Sequence, residues 1–226
     1  MRWRNRVAFW AVVGSLTASP AAFAQGERRV FAGTLVGVST LSADGRAVTT
    51  MSDASLSMYK PENGPALNAF AGMHLAQYFS VQVNYLWNRN DLLLVSSTVS
   101  RQGGGFYEQR RASTQHALVA DGLIYFRRLD SRIRPYLGTG LAFVRFKAHV
   151  TGSMSNGLEA PDGDITSTDV ALRSHVGIDV ALSRHMAFRY SFSETIGGNP
   201  ISPHLSPPGQ RGLANFENLF GVVARF

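Results

Sequence analysis

The sequence predicts an all-β chain: an eight-stranded, antiparallel, up-and-down transmembrane β-barrel preceded by a cleaved signal peptide. Three observations lead there. The N-terminus has the layout of an export signal, the rest of the chain carries eight runs of alternating apolar and polar residues, and the connections between those runs alternate long and short.

The first segment is read as an address. Arg2, Arg4 and Arg6 form a basic start, residues 7–16 are an apolar run, and Ala22, Phe23 and Ala24 form a small-x-small cleavage site before Gln25. That is the three-part pattern of a secretory signal. The apolar run is too short for a spanning helix, which needs about 20 residues. The expected division is therefore a signal peptide over 1–24 and a barrel domain over 25–226. Of the net charge of +7, three units belong to the address, leaving +4. No basic stripe remains, so a nucleic-acid partner is not expected. The chain has no cysteine, which excludes a disulfide scaffold and thiol chemistry.

The eight runs are 30–41, 65–75, 80–88, 113–126, 132–146, 168–182, 185–194 and 213–226. Period-two alternation is the strand signal. In the third run Val81, Val83, Tyr85 and Trp87 oppose Gln82, Asn84 and Asn88. In the sixth, Val170, Leu172, Val176, Ile178, Val180 and Leu182 oppose Arg173, His175, Gly177 and Asp179. In the seventh, Met186, Phe188, Tyr190 and Phe192 oppose Arg189, Ser191 and Ser193. In the eighth, Phe216, Phe220, Val222, Ala224 and Phe226 oppose Glu217, Gly221 and Arg225. The first, fourth and fifth runs are less clean, being rich in small and apolar residues on both faces.

Alternation alone does not say which face meets solvent. A soluble barrel puts its apolar face inside; a membrane barrel puts it outside, against lipid. The connections favour the membrane. Long ones (42–64, 89–112, 147–167, 195–212) alternate with short ones (76–79, 127–131, 183–184), as in outer-membrane barrels with long outside loops and short periplasmic turns. Aromatics fall on two levels: Tyr78, Phe79, Phe126, Tyr136 and Phe188 near the short turns, and Tyr85, Trp87, Phe143, Tyr190, Phe192 and Phe216 toward the long connections. Such levels match the two membrane interfaces.

Three stretches then resemble the small OmpA-type outer-membrane β-barrel superfamily. Residues 218–226, NLFGVVARF, resemble the closing strand of bacterial outer-membrane barrels. Residues 135–143, PYLGTGLAF, resemble the group's PYxGxGxGF strand, and residues 176–190 resemble the hairpin after its sixth strand. The resemblance implies an outer-membrane address, insertion by the barrel-assembly machinery with Phe226 as the aromatic it reads, and contact with outer-membrane lipids and lipopolysaccharide. OmpA's peptidoglycan-binding periplasmic domain has no counterpart in the stretches matched, so cell-wall anchoring is not carried over.

Folding the sixth and seventh runs about Arg184 pairs Leu182 with Met186, Val180 with Phe188, Ile178 with Tyr190 and Val176 with Phe192, all apolar and outward. The same register sets Asp179 opposite Arg189 inside, a favourable cross-strand pair. A slip of one residue would send both charges into lipid, at roughly 2–4 kcal/mol for a mid-depth Arg. Arg173, His175, Asp179, Arg189, Glu217 and Arg225 are thus expected to face the lumen. In a small barrel such a set fills the bore; the alternative is a narrow gated path for ions or small solutes.

Catalysis is not expected. The resemblance raises the lipid A deacylases, which pair a His with a Ser two residues on; here 189–194 supplies Ser191 and Ser193 without a His, Ser174 and His175 point to opposite faces, His116 lacks a clear acid, and His204 lies in a Pro-rich stretch. No cofactor motif is present. Glu159, Asp162, Asp164 and Asp169 are acidic, but their spacing is not that of a Ca²⁺ loop, so no metal is expected. The third hypothesis, a lipid-modifying enzyme, therefore ranks below the channel. Any specificity should reside in the long connections. In 89–112, Arg101, Phe106, Tyr107, Arg110 and Arg111 form a possible surface-binding set for lipopolysaccharide phosphates. The expected function is a non-enzymatic barrel with a structural or surface-binding role.

Overall fold

The computed structural model describes residues 30–101 and 103–226. The expected signal peptide, 1–24, lies outside the described residues. Ten strands follow one another: β1 (Val30–Leu41), β2 (Asp44–Thr49), β3 (Asp53–Pro61), β4 (Gly64–His74), β5 (Phe79–Ser100), β6 (Gly103–Tyr125), β7 (Ile133–Asn156), β8 (Ile165–Ala181), β9 (Met186–Gly198) and β10 (Gly212–Arg225). Eight of them close into a ring in the order β1-β4-β5-β6-β7-β8-β9-β10, and β10 pairs back with β1. Every pairing in the ring is antiparallel. Closure leaves no free edge within the ring, which is what allows a sheet to cross hydrocarbon.

The wall is inverted relative to a soluble barrel. Val83, Leu118, Leu141, Val176, Tyr190 and Phe220 stand exposed on the outside, while Asn84, Asp121, Arg173, Asp179, Arg189 and Glu217 are buried inside. The hairpin of β8 and β9 has the register that the alternation dictates: Val176 opposite Phe192, Ile178 opposite Tyr190, Asp179 opposite Arg189 and Val180 opposite Phe188. A shift of one residue would exchange the two sets, so lipid and charge together select this register.

Two expectations about the connections need correction. Residues 89–112 are not a loop. β5 and β6 stay paired from Phe79 opposite Ile124 to Ser100 opposite Gly103, and β7 runs on through Asn156. The alternation continues there, with Leu92, Leu94 and Ser96 turned inward and buried, and it outlasts the membrane. Residues 42–64 hold the hairpin β2–β3, whose second strand pairs with the far half of β5, from Asp53 opposite Ser100 to Pro61 opposite Leu92. The barrel thus continues as a standing wall beyond its ring. One aromatic also moves: Tyr136 is buried in the lumen rather than at an interface, because its strand neighbours Pro135 and Leu137 lie on the outer face.

Candidate functional site

The bore is where buried charge is concentrated among the described residues, and four strands supply the hydrogen-bonded groups of its lower cluster. Arg189 on β9 donates from Nε to Asp179 Oδ1 at 2.6 Å and from Nη2 to Asp179 Oδ2 at 2.9 Å, a fork-on-fork pair. Its Nη2 also donates to Tyr125 Oη at 2.9 Å and its Nη1 to Gln82 Oε1 at 3.1 Å, while Tyr125 Oη donates to Asp179 Oδ2 at 3.2 Å. The guanidinium carbon lies 4.8 Å from the Phe70 ring centre and 5.0 Å from that of Tyr136. Aromatic faces and acceptors therefore surround this cation on every side where water would otherwise be needed.

A second cluster is centred on Asp121 of β6. Its Oδ2 accepts from Arg173 Nη1 at 2.8 Å, Asn84 Nδ2 at 2.8 Å and Gln82 Nε2 at 3.3 Å, and His175 Nε2 lies 3.3 Å away. Arg173 Nη2 reaches Ser193 Oγ at 3.2 Å, and Ser193 Oγ donates to Glu217 Oε2 at 3.0 Å. Gln82, bonded to both Asp121 and Arg189, joins the clusters into one network. Glycines let it fit: a Cβ at Gly138 would run into the His175 ring, and one at Gly177 into the Tyr136 ring.

All six lumen residues read from the sequence face inward, five of them buried and Arg225 half-buried at the short-turn end. Asp121, Tyr125, His74 and Arg134 join the lumen without having been singled out in the sequence; Gln82 and Asn84 were placed on the polar face of their run but not in the lumen set, and Tyr136 was assigned to an interface. Asp121 lies in a run rich in small and apolar residues on both faces, so its parity carried little signal. Arg134 is wholly buried with its guanidinium 3.8 Å from the Tyr125 ring centre, and none of its three nitrogens has a hydrogen-bond partner among the described residues. His74 Nδ1 and Ser80 Oγ are 2.6 Å apart. Both are buried in the bore, so this Ser–His pair lacks the open face a nucleophile needs. Ser191 and Ser193 are buried there too.

Above the network the bore turns apolar. Leu41, Tyr59, Leu92, Leu94, Tyr107 and Phe146 from the wall pack with Ile201 and Leu205 from the Pro-rich connection. That connection is tied down: Asn199 Nδ2 donates to Tyr59 Oη at 3.0 Å, Ser96 Oγ to Ser206 O at 2.6 Å, Ser57 Oγ to Pro207 O, and Gln210 N to Asp44 Oδ2. The hairpin β2–β3 thus serves as the post on which the lid rests. His204 is exposed at the end of a short 3-10 turn, Ser202–His204.

The expected surface-binding set is split. Arg101, Phe106 and Arg110 are exposed, but Tyr107 and Arg111 are buried. The reason is strand parity: with 89–112 paired as strand rather than looped, odd residues of β6 point inward. Arg111 donates from Nη2 to Pro161 O at 2.6 Å, from Nη1 to Gly163 O at 2.8 Å and from Nε to Gln109 Oε1 at 2.6 Å, pinning the connection 157–164. Burial draws its guanidinium below the ordinary value, and Asp164, Tyr107 and Asp162 hold it up. Burial likewise raises the Tyr59 and Tyr107 hydroxyls, keeping both neutral. The acidic residues of this region do not converge: Asp164 pairs with Lys147 at 3.1 Å, and among the described residues no three His, Asp or Glu side chains form a metal-holding group. Phe226 is exposed beside the first strand, its N–H donating to Val30 O at 2.9 Å.

The family model for the outer membrane protein beta-barrel domain matches residues 8–226. The chain belongs to this family. It is therefore an outer-membrane barrel that sits among membrane lipids. Solved structures of similar fold include Neisserial surface protein A at 14% identity, TM-score 0.49, covering 87% of this chain and 99% of that one. OprG from Pseudomonas aeruginosa stands at 13% identity, TM-score 0.49, with 88% and 96% covered. Ail of Yersinia pestis, in complex with the heparin analogue sucrose octasulfate, stands at 10% identity, TM-score 0.44, with 88% and 99% covered. No match was found among curated proteins.

Proposed function

We propose that this barrel is a non-enzymatic, non-conducting component of the outer membrane whose role is structural or surface-binding, with the long-connection end and its standing wall outside the cell. The observation that carries this is double closure of the bore. The Asp179–Arg189 and Asp121–Arg173 clusters fill it at membrane depth, and the plug around Ile201 and Leu205 fills its far mouth. An ion crossing would have to displace hydrogen-bonded charges and then pass a dry apolar layer, which is costly. The buried Ser80–His74 pair offers a substrate no approach. What is presented outward is the wall of β2, β3 and the far halves of β5, β6 and β7, with Arg101, Phe106 and Arg110 on it. This reading takes 1–24 as the export signal and the exposed Phe226 ring as what the assembly machinery reads.

Planar-bilayer recording of the purified protein tests it. The expected result is no steady conductance, and removing the plug with Ile201→Ser and Leu205→Ser leaves the bore closed by the charged clusters. Steady openings in the wild-type protein that disappear on Asp179→Asn would establish a channel instead. Mass spectra of lipid A from cells with and without the protein should be identical; a changed acylation pattern would make it an enzyme.

A further inference from the structure

The short-turn end of the bore carries a cation that its surroundings leave unanswered. Arg134 is the second residue of β7, and register sets it directly opposite Asp179, which in turn stands opposite Arg189. One carboxylate thus lies between two guanidinia, and it is spent on one of them. Asp179 Oδ1 accepts from Arg189 Nε, and Oδ2 accepts from Arg189 Nη2 and the Tyr125 hydroxyl. Arg134 is left over the Tyr125 ring, 3.8 Å from its centre. It is 0% exposed, and Nε, Nη1 and Nη2 find no acceptor among the described residues. A ring face attracts the charge, yet it offers no lone pair to the N–H groups. A charged donor buried in this way costs free energy until an acceptor reaches it.

A second guanidinium shares this end. Arg225, the last residue of β10, faces inward, and its Nη2 is likewise buried without an acceptor among the described residues. Its charge acts on Arg134, and the charges of both act on His74. The two charge clusters and this end together hold four guanidinia (Arg134, Arg173, Arg189, Arg225) against three carboxylates (Asp121, Asp179, Glu217). One positive charge is in excess, and the unanswered nitrogens of Arg134 and Arg225 place it at the short-turn mouth. The rim outside that mouth has the same sign. Arg127, Arg128, Arg132 and Arg184 are exposed on the short turns, whose one carboxylate, Asp130, is paired with Arg128 at 3.9 Å. A basic rim raises the local concentration of anions at the opening.

We propose that the short-turn mouth of the bore binds one small, singly charged inorganic anion, of chloride's class, on Arg134 and Arg225. Single charge follows from the excess of one guanidinium. It follows also from desolvation, because an ion reaching a wholly buried Arg134 must shed most of its water, and that cost rises steeply with charge. A guanidinium is a weakly hydrated cation, so it exchanges water for such an anion at little loss. The site is a dead end, since Asp179, Tyr125, Arg189 and Gln82 close the bore above it. It needs neither the orientation nor the surface role proposed above, and it holds whichever end faces the cell.

Thermal unfolding of the purified full barrel tests this, with sodium chloride replacing sodium gluconate at constant ionic strength. Gluconate is too bulky to reach Arg134. The wild-type midpoint should rise saturably with chloride, by about 3–6 °C at ten times the half-saturating concentration. Arg134→Leu should unfold at one temperature in both salts, whereas Arg46→Gln, on the distant hairpin, should keep the wild-type dependence. Equal wild-type midpoints in the two salts overturn the site, and so does an Arg134→Leu variant that keeps the full rise. Wild-type crystals grown in sodium bromide decide the matter even where the variant fails to assemble. An anomalous bromide peak beside Arg134 is expected; peaks confined to the exposed turn arginines overturn the proposal.

Discussion

A carboxylate and a guanidinium buried face to face are useful to a barrel only as a pair. Asp179 and Arg189 are each about 2% exposed, so neither can recruit bulk water when its partner is gone. Asp179→Asn or Arg189→Gln alone should therefore cost about 3–5 kcal/mol. The double change should cost clearly less than the sum of the singles, because no uncompensated charge remains. Urea unfolding in lipid vesicles measures all three; strict additivity would show that the pair does not act as a unit. Gly177 is constrained by the same packing. Gly177→Ala would push on the Tyr136 ring and on the Tyr190 carbonyl, costing about 1–3 kcal/mol in the same assay.

The elements that matter most are those that do not end at the membrane. β5, β6 and β7 run beyond the ring, and each carries a second job there. β5 accepts the hairpin β2–β3, β6 supplies Arg111 to hold 157–164, and β7 contributes Phe146 and Ala148 to the apolar plug. Arg111→Met removes two bonds to that connection, leaving the Gly163 carbonyl without this donor and the Pro161 carbonyl with Gln109 Nε2 alone. The connection should then be cut by added protease at least several-fold faster than in the wild type, with the ring of strands left intact as local opening stays local. Unchanged cleavage would mean that backbone pairing alone holds 157–164. About half of this arrangement was legible beforehand. The inward and outward faces of β8, β9 and β10 follow from alternation that is clean over many residues. Asp121, Arg134 and Tyr125 were not legible, because β6 and β7 carry Gly, Ala and large apolar residues on both faces, and one polar residue among them has no visible parity.

At the scale of the whole molecule, closure of the ring places Val30, Phe226 and the three short turns on one side and the other connections on the opposite side. The absence of cysteine makes this testable with single introduced thiols. On intact cells, Ser52→Cys in the turn between β2 and β3 should react with a membrane-impermeant maleimide, and Ser131→Cys in the short turn after β6 should not. The opposite pattern would invert the orientation and remove the basis for the surface role.

Period two, short turns between apolar runs and a cysteine-free exported chain were enough to specify an inverted barrel, because hydrocarbon allows only one face of each strand outside and only a closed ring of strands through it. Even the Asp179–Arg189 pairing was visible, since a two-strand register is a local matter. What only the folded chain decided are the contacts made across the ring and above it: Gln82 joining two charge clusters from β5, and Ile201 and Leu205 entering a mouth built from seven strands. These depend on which strands become neighbours after closure and on how far each outruns the membrane, and neither is written in the alternation of any single strand.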